Sequence, residues 1–308
     1  MSDLTSRPYA GESDRALLHA VIGARPAARR GDFPSLADLA EMLSVPEVAD
    51  NIQLWLDAGG QPLGFAIVEP RYDNLYFDVV PAAGFAAVGA AMVAWGVERQ
   101  RQLKQGEASL ITLDTDCRED DTTRRALLDR LGFVPLPQVT VSMVRPLDRP
   151  VADPILPPGY TLRSVSGPEE DAAWVRLHRT AWQTGHMTLE ERRAMTAEPG
   201  YDRALDLVIT APDGALAAYC VGAIYAGENA LTGQRVGYLD PVATHPAHQR
   251  RGLARALLCV GLQRLQERGM AAARLGTTGG NTAMLKAAEA VGFTVEARKF
   301  WLQKALDS

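Results

Sequence analysis

Proline density near the middle of the chain is the feature that most limits how these 308 residues can fold. The segment RPLDRPVADPILPPG contains five prolines, at Pro146, Pro150, Pro154, Pro157 and Pro158. Proline lacks a backbone N–H and is excluded from helix interiors and central strands, so we expect a stiff, extended linker. We assign the linker to residues 147–158, which leaves segments 1–146 and 159–308, each of ordinary domain size.

The two segments repeat one order of predicted elements. Each begins with an amphipathic helix, over Glu12–Ile22 and Pro168–Trp182, and continues into a hairpin with a GG or DG turn. A third strand follows, over Asn74–Pro81 in the first segment and Arg235–Pro246 in the second. A long helix, a strand and a helix ending in Gly-Phe complete each segment.

This repetition predicts the fold. The closing phenylalanines, Phe133 and Phe293, are 160 residues apart (293 − 133), which is a domain-scale duplication rather than a short repeat. We expect an α/β protein with two tandem domains, each a mostly antiparallel, twisted, mixed sheet flanked by helices. The alternative is that two unrelated α/β domains share generic features.

Composition narrows the class of protein. Hydrophobic residues make up 47 % and charged residues 22 %, as in an ordinary globular protein. The longest apolar stretches, such as Ala82–Trp95, are too short to cross a membrane, so we expect no membrane partner. A net charge of −5 argues against nucleic acid as a partner.

Cysteine usage and the first residues bear on location. The three cysteines form no C-x-x-C pair, so we expect neither a disulfide framework nor a metal site. The opening sequence MSDLTSRPYAGESDRALL lacks the pattern of a secretory signal. We therefore expect a cytoplasmic protein.

The segment YLDPVATHPAHQRRGLARALL holds the chemically informative residues of the chain. A strand ends near His245, a short basic turn follows, and a helix begins near Gly252. The first N–H groups of a helix lack partners, the helix dipole is positive there, and glycine allows close approach. With Arg250, Arg251 and Arg255 nearby, the turn predicts an anion site suited to a diphosphate, although a basic surface helix would read the same way.

The stretch Gln249–Ala254 resembles the Q/R-x-x-G-x-G/A acetyl-CoA signature of the GNAT superfamily of N-acetyltransferases. The strand ending in His245-Pro246 matches that family's central strand, and Asn281–Phe293 resembles its closing helix. The resemblance covers about Gly159 to Lys304, and two such domains are most similar to tandem proteins of the mycothiol synthase group. It implies that acetyl-CoA is bound.

The resemblance also implies which residues bind the coenzyme. Val242 and Thr244 would pair through their backbone with the pantetheine arm, as an added strand does. The Val242 amide could also donate to the thioester oxygen, and Asn281 would touch the coenzyme. The diphosphate would be held by the turn and the start of the helix, namely Gln249, Arg250, Arg251, Gly252, Leu253, Ala254 and Arg255.

The first segment departs from this pattern. Its corresponding stretch, DVVPAAGFAAVGAAMVAW, has no arginine or lysine where a diphosphate would lie. Burying phosphate charge without a cation is costly, so we expect this domain to have lost coenzyme binding.

The expected reaction is attack of an amine on the acetyl thioester, which requires a neutral amine and therefore a base or a water relay. Strand alternation puts Tyr238, Asp240, Val242 and Thr244 on one face, and Asp240 is our first choice of base. His245, His248 and Glu228 are the alternatives. The family's usual acid, a tyrosine, is replaced by Ala288, so Tyr238, Tyr225 or water would protonate the leaving thiolate.

The acceptor pocket is expected near the first helix and the strands of the second domain. We predict that Trp182, His178, Tyr225 and Glu228 contact the substrate, and Trp174 is a further candidate. The leading function is acetyl-CoA-dependent N-acetylation of a small-molecule amine by a monomer or weak dimer. The alternative is a non-catalytic acyl-CoA-binding sensor or regulatory module.

Overall fold

The computed structural model describes residues 4–106, 110–198 and 200–306. The first three and last two residues of the predicted segments 1–146 and 159–308, namely 1–3 and 307–308, therefore lie outside the described residues. The strands are β1 (Thr5–Pro8), β2 (Ile52–Leu56), β3 (Pro62–Glu69), β4 (Asn74–Val79), β5 (Ile111–Arg118), β6 (Val134–Pro146), β7 (Thr161–Ser164), β8 (Asp206–Thr210), β9 (Leu216–Ala223), β10 (Val236–Thr244), β11 (Ala272–Thr278) and β12 (Thr294–Leu306). The α-helices are α1 (Arg15–Gly23), α2 (Leu36–Leu43), α3 (Pro46–Ala49), α4 (Phe85–Leu103), α5 (Thr122–Arg130), α6 (Asp171–Trp182), α7 (Leu189–Ala197), α8 (Ala226–Thr232), α9 (Leu253–Glu267) and α10 (Thr282–Glu289).

The described chain forms two compact units, and each unit is built from segments that are not contiguous in sequence. The first unit contains the chain up to Val139, together with Ala230–Gly233 and the stretch from Arg298 onward. The second contains Thr140–Asn229 and Gln234–Ala297. These units differ from the predicted segments 1–146 and 159–308, because the ends of β6 and β12 each complete the sheet of the other half.

In the first unit the strands follow the order β1-β2-β3-β4-β5, and Arg298–Leu306 of β12 lies beside β5. The β4–β5 pair is parallel and the other pairs are antiparallel. Apolar side chains cover both faces of this sheet, with one core that includes Leu54, Phe65 and Ile67 and another that includes Leu75, Met92 and Leu128.

In the second unit Thr140–Pro146 of β6 lies beside β11, and the order continues β10-β9-β8-β7. The β10–β11 pair is parallel and its neighbours are antiparallel. The arrangement confirms the predicted α/β class with mixed sheets flanked by helices. Residues 147–158 contain no helix or strand, as expected from their prolines.

Helix α9 packs unusually closely on the central strand of the second unit. A Cβ atom added to Gly237 would lie 2.3 Å from the Leu265 side chain, and one added to Gly261 would lie 2.7 Å from Leu239. Glycine at both contacts lets the helix axis approach β10, so α9 packs directly on the strand that precedes it. This packing positions the basic turn.

Helix boundaries differ modestly from the sequence-based expectation. Short 3-10 turns over Glu12–Asp14 and Pro168–Glu170 precede α1 and α6, where single helices were expected. Helices α2, α3, α7 and α8 were not predicted. In the described residues no helix is both long enough and apolar enough to cross a membrane.

Candidate active site

The central strand β10 is interrupted in the middle of the predicted site. Its pairing with β9 shifts between Leu239, opposite Gly222, and Val242, opposite Cys220. Asp240 and Pro241 therefore both lie opposite one residue, which is a β-bulge. The prediction that Tyr238 shares a face with Val242 and Thr244 is wrong, because the extra residue turns the later side chains to the other face.

Beyond Tyr238, strands β10 and β11 separate. Their parallel pairing covers only Val236–Tyr238, opposite Ala272–Arg274. The gap beyond this point forms a cavity of about 110 Å³. The cavity is lined by Trp182, Leu239, Asp240, Val242, Gly276, Thr277, Thr278, Asn281 and Met284. Four of the sequence-predicted residues, Trp182, Asp240, Val242 and Asn281, thus meet at one opening.

Asp240 lies at the point where the two strands part. Its side chain is exposed, and its Oδ2 accepts a hydrogen bond of 3.2 Å from the Gly276 amide across the gap. Burial raises the pKa of the Cys220 thiol, and the Asp240 charge is the next largest cause. Burial also raises the pKa of the Tyr219 phenol, where the Trp182 hydrogen bond acts in the opposite direction and the Asp240 charge adds to the rise. The carboxylate therefore reaches both solvent and the cavity, as a base acting through water requires.

The basic turn presents its backbone outward. Arg250 and Gly252 both have positive φ angles, +60° and +81°, and Gly252 is the N-cap of α9 with no side-chain cap. The N–H groups at the start of this 15-residue helix have no side-chain cap, and such groups suit an anion. Gln249, Arg250, Arg251 and Arg255 are exposed around it, whereas the Leu253 side chain is buried in the core and Ala254 is half-buried.

The two histidines before the turn are used in local structure. His245 Nδ1 accepts a hydrogen bond from the Ala247 amide at 3.2 Å. His248 Nδ1 is 2.8 Å from the Tyr160 hydroxyl. Both contacts shape the approach to the anion turn. Neither histidine lines the cavity, which leaves Asp240 as the better-placed base.

At the other end of the cavity, Asn281 caps α10. Its Oδ1 accepts a hydrogen bond from the Met284 amide at 3.1 Å. The side-chain amide nitrogen can still donate into the cavity. Ala288, two turns later in the same helix, is fully buried, so the position of the usual family acid holds only a methyl group.

Two predicted acceptor residues, Trp182 and His178, contact Tyr219, a residue that the sequence did not single out. The Trp182 indole Nε1 donates to the Tyr219 hydroxyl at 2.8 Å, and that hydroxyl is 2.7 Å from His178 Nδ1. Burial lowers the pKa of His178, which keeps the imidazole neutral near pH 7 and able to accept a hydrogen bond from the Tyr219 hydroxyl. Tyr219 was missed because a tyrosine in an apolar strand reads as core.

Tyr238 and Glu228 form a separate polar cluster. The Tyr238 hydroxyl donates to Glu228 Oε1, and Tyr225 packs against the Tyr238 ring at 5.4 Å. Burial, with the Glu228 charge next, raises the pKa of Tyr238. Glu228 is itself buried, so it holds Tyr238 instead of facing an open pocket. A phenol with a raised pKa and an engaged proton is poorly suited to protonate a thiolate.

The corresponding strands of the first unit also part, but a side chain fills their gap. The parallel pairing of β4 with β5 is limited to Asn74 opposite Asp114. Arg124 extends into this region from α5 and donates to the carbonyl oxygens of Phe77 and Asp116, both at 2.9 Å. Its guanidinium also lies 3.8 Å from the Phe77 ring centroid. Gly84, the N-cap of α4, has a positive φ of +76°, close to that of Gly252, but no arginine beside it in the sequence.

No group of three or more potential His, Cys, Asp or Glu metal ligands occurs in the part of the chain that the structure describes. The described contacts instead bring together a strand edge, an anion-binding turn and a carboxylate. This set of groups can hold an extended, phosphate-bearing ligand and move a proton at its other end.

Known proteins resemble this chain in sequence and in fold. Residues 172–293 match the acetyltransferase (GNAT) family. A mycothiol acetyltransferase of Sanguibacter keddieii is 29 % identical over 259 residues, which cover 80 % of this chain and 79 % of that protein. A GCN5-related N-acetyltransferase from Sphaerobacter thermophilus has a TM-score of 0.77 at 22 % identity, covering 99 % of this chain and 96 % of its own. A tandem GNAT protein from the clavulanic acid biosynthesis pathway has a TM-score of 0.73 at 15 % identity, covering 100 % and 99 %.

Proposed function

We propose that the second unit, which contains the residues 172–293 that match the acetyltransferase (GNAT) family, N-acetylates a small molecule. The chain is an acyltransferase that uses acetyl-CoA. The proposal adds the acceptor group, a primary amine, and places the reaction at the cavity between β10 and β11. Its main support is that this cavity opens beside Asp240, on the strand whose end leads into the uncapped turn at Gly252.

The residues present fit the coenzyme. The α9 N–H groups and the charges of Arg250, Arg251 and Arg255 suit its diphosphate. The edge of β10 from Leu239 to Thr244, where pairing with β11 has ended, suits its amide-bearing arm, because backbone groups there can pair as with an added strand. Acetyl-CoA supplies the acetyl group as an activated thioester.

Asp240 is the proposed base. An alkyl ammonium must lose a proton before its nitrogen can attack, and Asp240 can take that proton through water at the mouth of the cavity. The Val242 amide, just after the bulge, is the proposed donor to the thioester oxygen. This places the proton acceptor and the oxygen donor within two residues of each other on one strand.

A dedicated acid is not required by this arrangement. No tyrosine is among the described residues that line the cavity, and the Tyr238 hydroxyl donates its hydrogen bond to Glu228. A thiol pKa near 8.5 means that a free thiolate lies only about 2 kcal/mol above its protonated form at pH 7. Water at the open cavity therefore suffices as proton source.

The acceptor is proposed to be a small molecule carrying a cationic amine. The relative from Sanguibacter keddieii is a mycothiol acetyltransferase. Asp240 and the net charge of −5 favour approach of a cation. The first unit is proposed to be a structural partner without coenzyme, because Arg124 occupies its strand gap and no cation flanks Gly84.

Calorimetric titration with acetyl-CoA tests this proposal. We expect one site per chain, and the Arg251→Glu, Gly252→Asp double variant should weaken binding at least about 100-fold by reversing charge at the diphosphate. Gly84→Asp is the matched control, since it introduces the same residue at the same helix position in the first unit. Two coenzymes per chain, or equal losses in the two glycine variants, would refute it.

A further inference from the structure

Three rings on α6 form a stacked column. Trp174, His178 and Trp182 are spaced four residues apart, so they share one helix face. The Trp174 and His178 ring centroids are 5.4 Å apart at an interplanar angle of 20°. Those of His178 and Trp182 are 6.0 Å apart at 30°. The column leads from the core to the cavity.

The base of the column is fixed by a buried charge cluster. The Arg192 guanidinium lies 4.2 Å from the Trp174 ring centroid. Arg192 is fully buried and forms ion pairs with Asp171, at 3.2 Å, and with Asp206. Tyr201 donates a further hydrogen bond of 2.7 Å to Asp206. A guanidinium held on two carboxylates cannot shift without leaving buried charge unpaired.

The outer ring is held from the side as well. Tyr219, which is fully buried, packs 4.5 Å from Trp174 and accepts the hydrogen bond from Trp182 Nε1. Trp182 is the last residue of α6 and remains 49 % exposed, although it is stacked on one face and hydrogen-bonded at its edge. A large ring that is both fixed and half exposed is a preorganised contact surface, because binding costs it little entropy.

We propose that the free face of Trp182 binds a ring of the acceptor, so that the preferred substrates are ring-bearing primary amines. This inference rests on the proposed function and names its substrate class. Trp182 and Asp240 line the same cavity, so an amine at Asp240 places its own substituent near the indole. Stacking and cation–π attraction reward a flat ring next to an ammonium, whereas a flexible alkyl chain gains less and loses more entropy.

Indole N–H resonances of the nitrogen-15-labelled full-length protein test the inference without turnover. The chain has five tryptophans, and Trp182→Phe identifies the Trp182 signal by its loss. Titration with 2-phenylethylamine should shift that signal, and hexylamine at the same concentration should shift it much less. In acetylation assays the wild type should prefer 2-phenylethylamine by about tenfold in kcat/KM, a ratio that stacking of this strength supports.

Variants separate positioning from general damage. Trp182→Ala should remove the tenfold preference, and Tyr219→Phe should reduce it by releasing the indole, both with an unchanged acetyl-CoA Kd. Trp95→Phe, in the first unit, is the matched control and should retain the preference. Equal responses to the two amines, or a Trp182 signal that moves with neither, would overturn the inference. Failure of the proposed function would give a different result: acetyl-CoA would not bind, although the Trp182 signal would still respond to the amine.

Discussion

Replacing Arg124 by alanine should destabilise the first unit substantially. The guanidinium donates two hydrogen bonds of 2.9 Å to the carbonyls of Phe77 and Asp116 and covers the Phe77 ring. Charge-assisted bonds of this kind contribute about 1 kcal/mol each at a half-buried site, and the cation–π contact about 0.5–1 kcal/mol. The expected loss is therefore about 2–3 kcal/mol, because the variant leaves two carbonyls in the gap without their donor.

Arg125→Ala provides a matched control one residue away. Arg125 pairs with Asp129 at 2.8 Å on the helix surface, with the two side chains 40 % and 49 % exposed. Such a pair contributes about 0.5 kcal/mol at most. Urea unfolding should be followed by a probe local to the first unit, because a protein of two units need not unfold in one step. Hydrogen exchange of β4 and β5 peptides provides that probe, and equal protection in the two variants would refute the reasoning.

Three further predictions follow from contacts in the second unit. Asp240→Asn should slow amine acetylation by about 100-fold without changing the acetyl-CoA Kd, and an unaltered kcat would exclude Asp240 as the base. Gly261→Ala should cost about 1–3 kcal/mol in urea unfolding, since its Cβ would lie 2.7 Å from Leu239, whereas Gly185→Ala, with open space around it, should cost little. Burial lowers the pKa of His178, so this imidazole binds a proton more readily in the unfolded chain than in the folded one. The free energy of unfolding should therefore fall as pH drops below about 6.5. His178→Gln should remove that part of the pH dependence in unfolding curves, and an unchanged slope would count against a buried neutral imidazole.

The sequence predicted the parts of the fold that depend on local pattern. The duplicated order of elements and the helix beginning after Gly252 follow from periodicity and from proline and glycine placement. The same reasoning predicts the anion site at the turn before α9, because the residues of that turn are adjacent in the chain. The resemblance to the GNAT family, drawn from three motif-bearing segments, is confirmed by the match over residues 172–293.

Features that depend on distant pairing could not be predicted in this way. Periodicity gives a strand such as β12 but not its partner, so the exchange of strand ends between the units was missed. The bulge at Asp240 had a local sign, since Pro241 cannot occupy an ordinary position in a central strand. Tyr219 had no such sign, because its hydrogen bonds to His178 and Trp182 depend on how α6 packs against β9.

The strand exchange has a consequence for biosynthesis. The first unit is not complete when the ribosome has passed Val139, since β5 still lacks the strand Arg298–Leu306 that covers its edge. More than 150 residues must be translated (298 − 139 = 159) before that strand can join. During this interval the β5 edge is open to pairing with other chains, a state in which chaperones commonly protect nascent proteins. The order in which the halves are made is thus not the order in which they can finish folding.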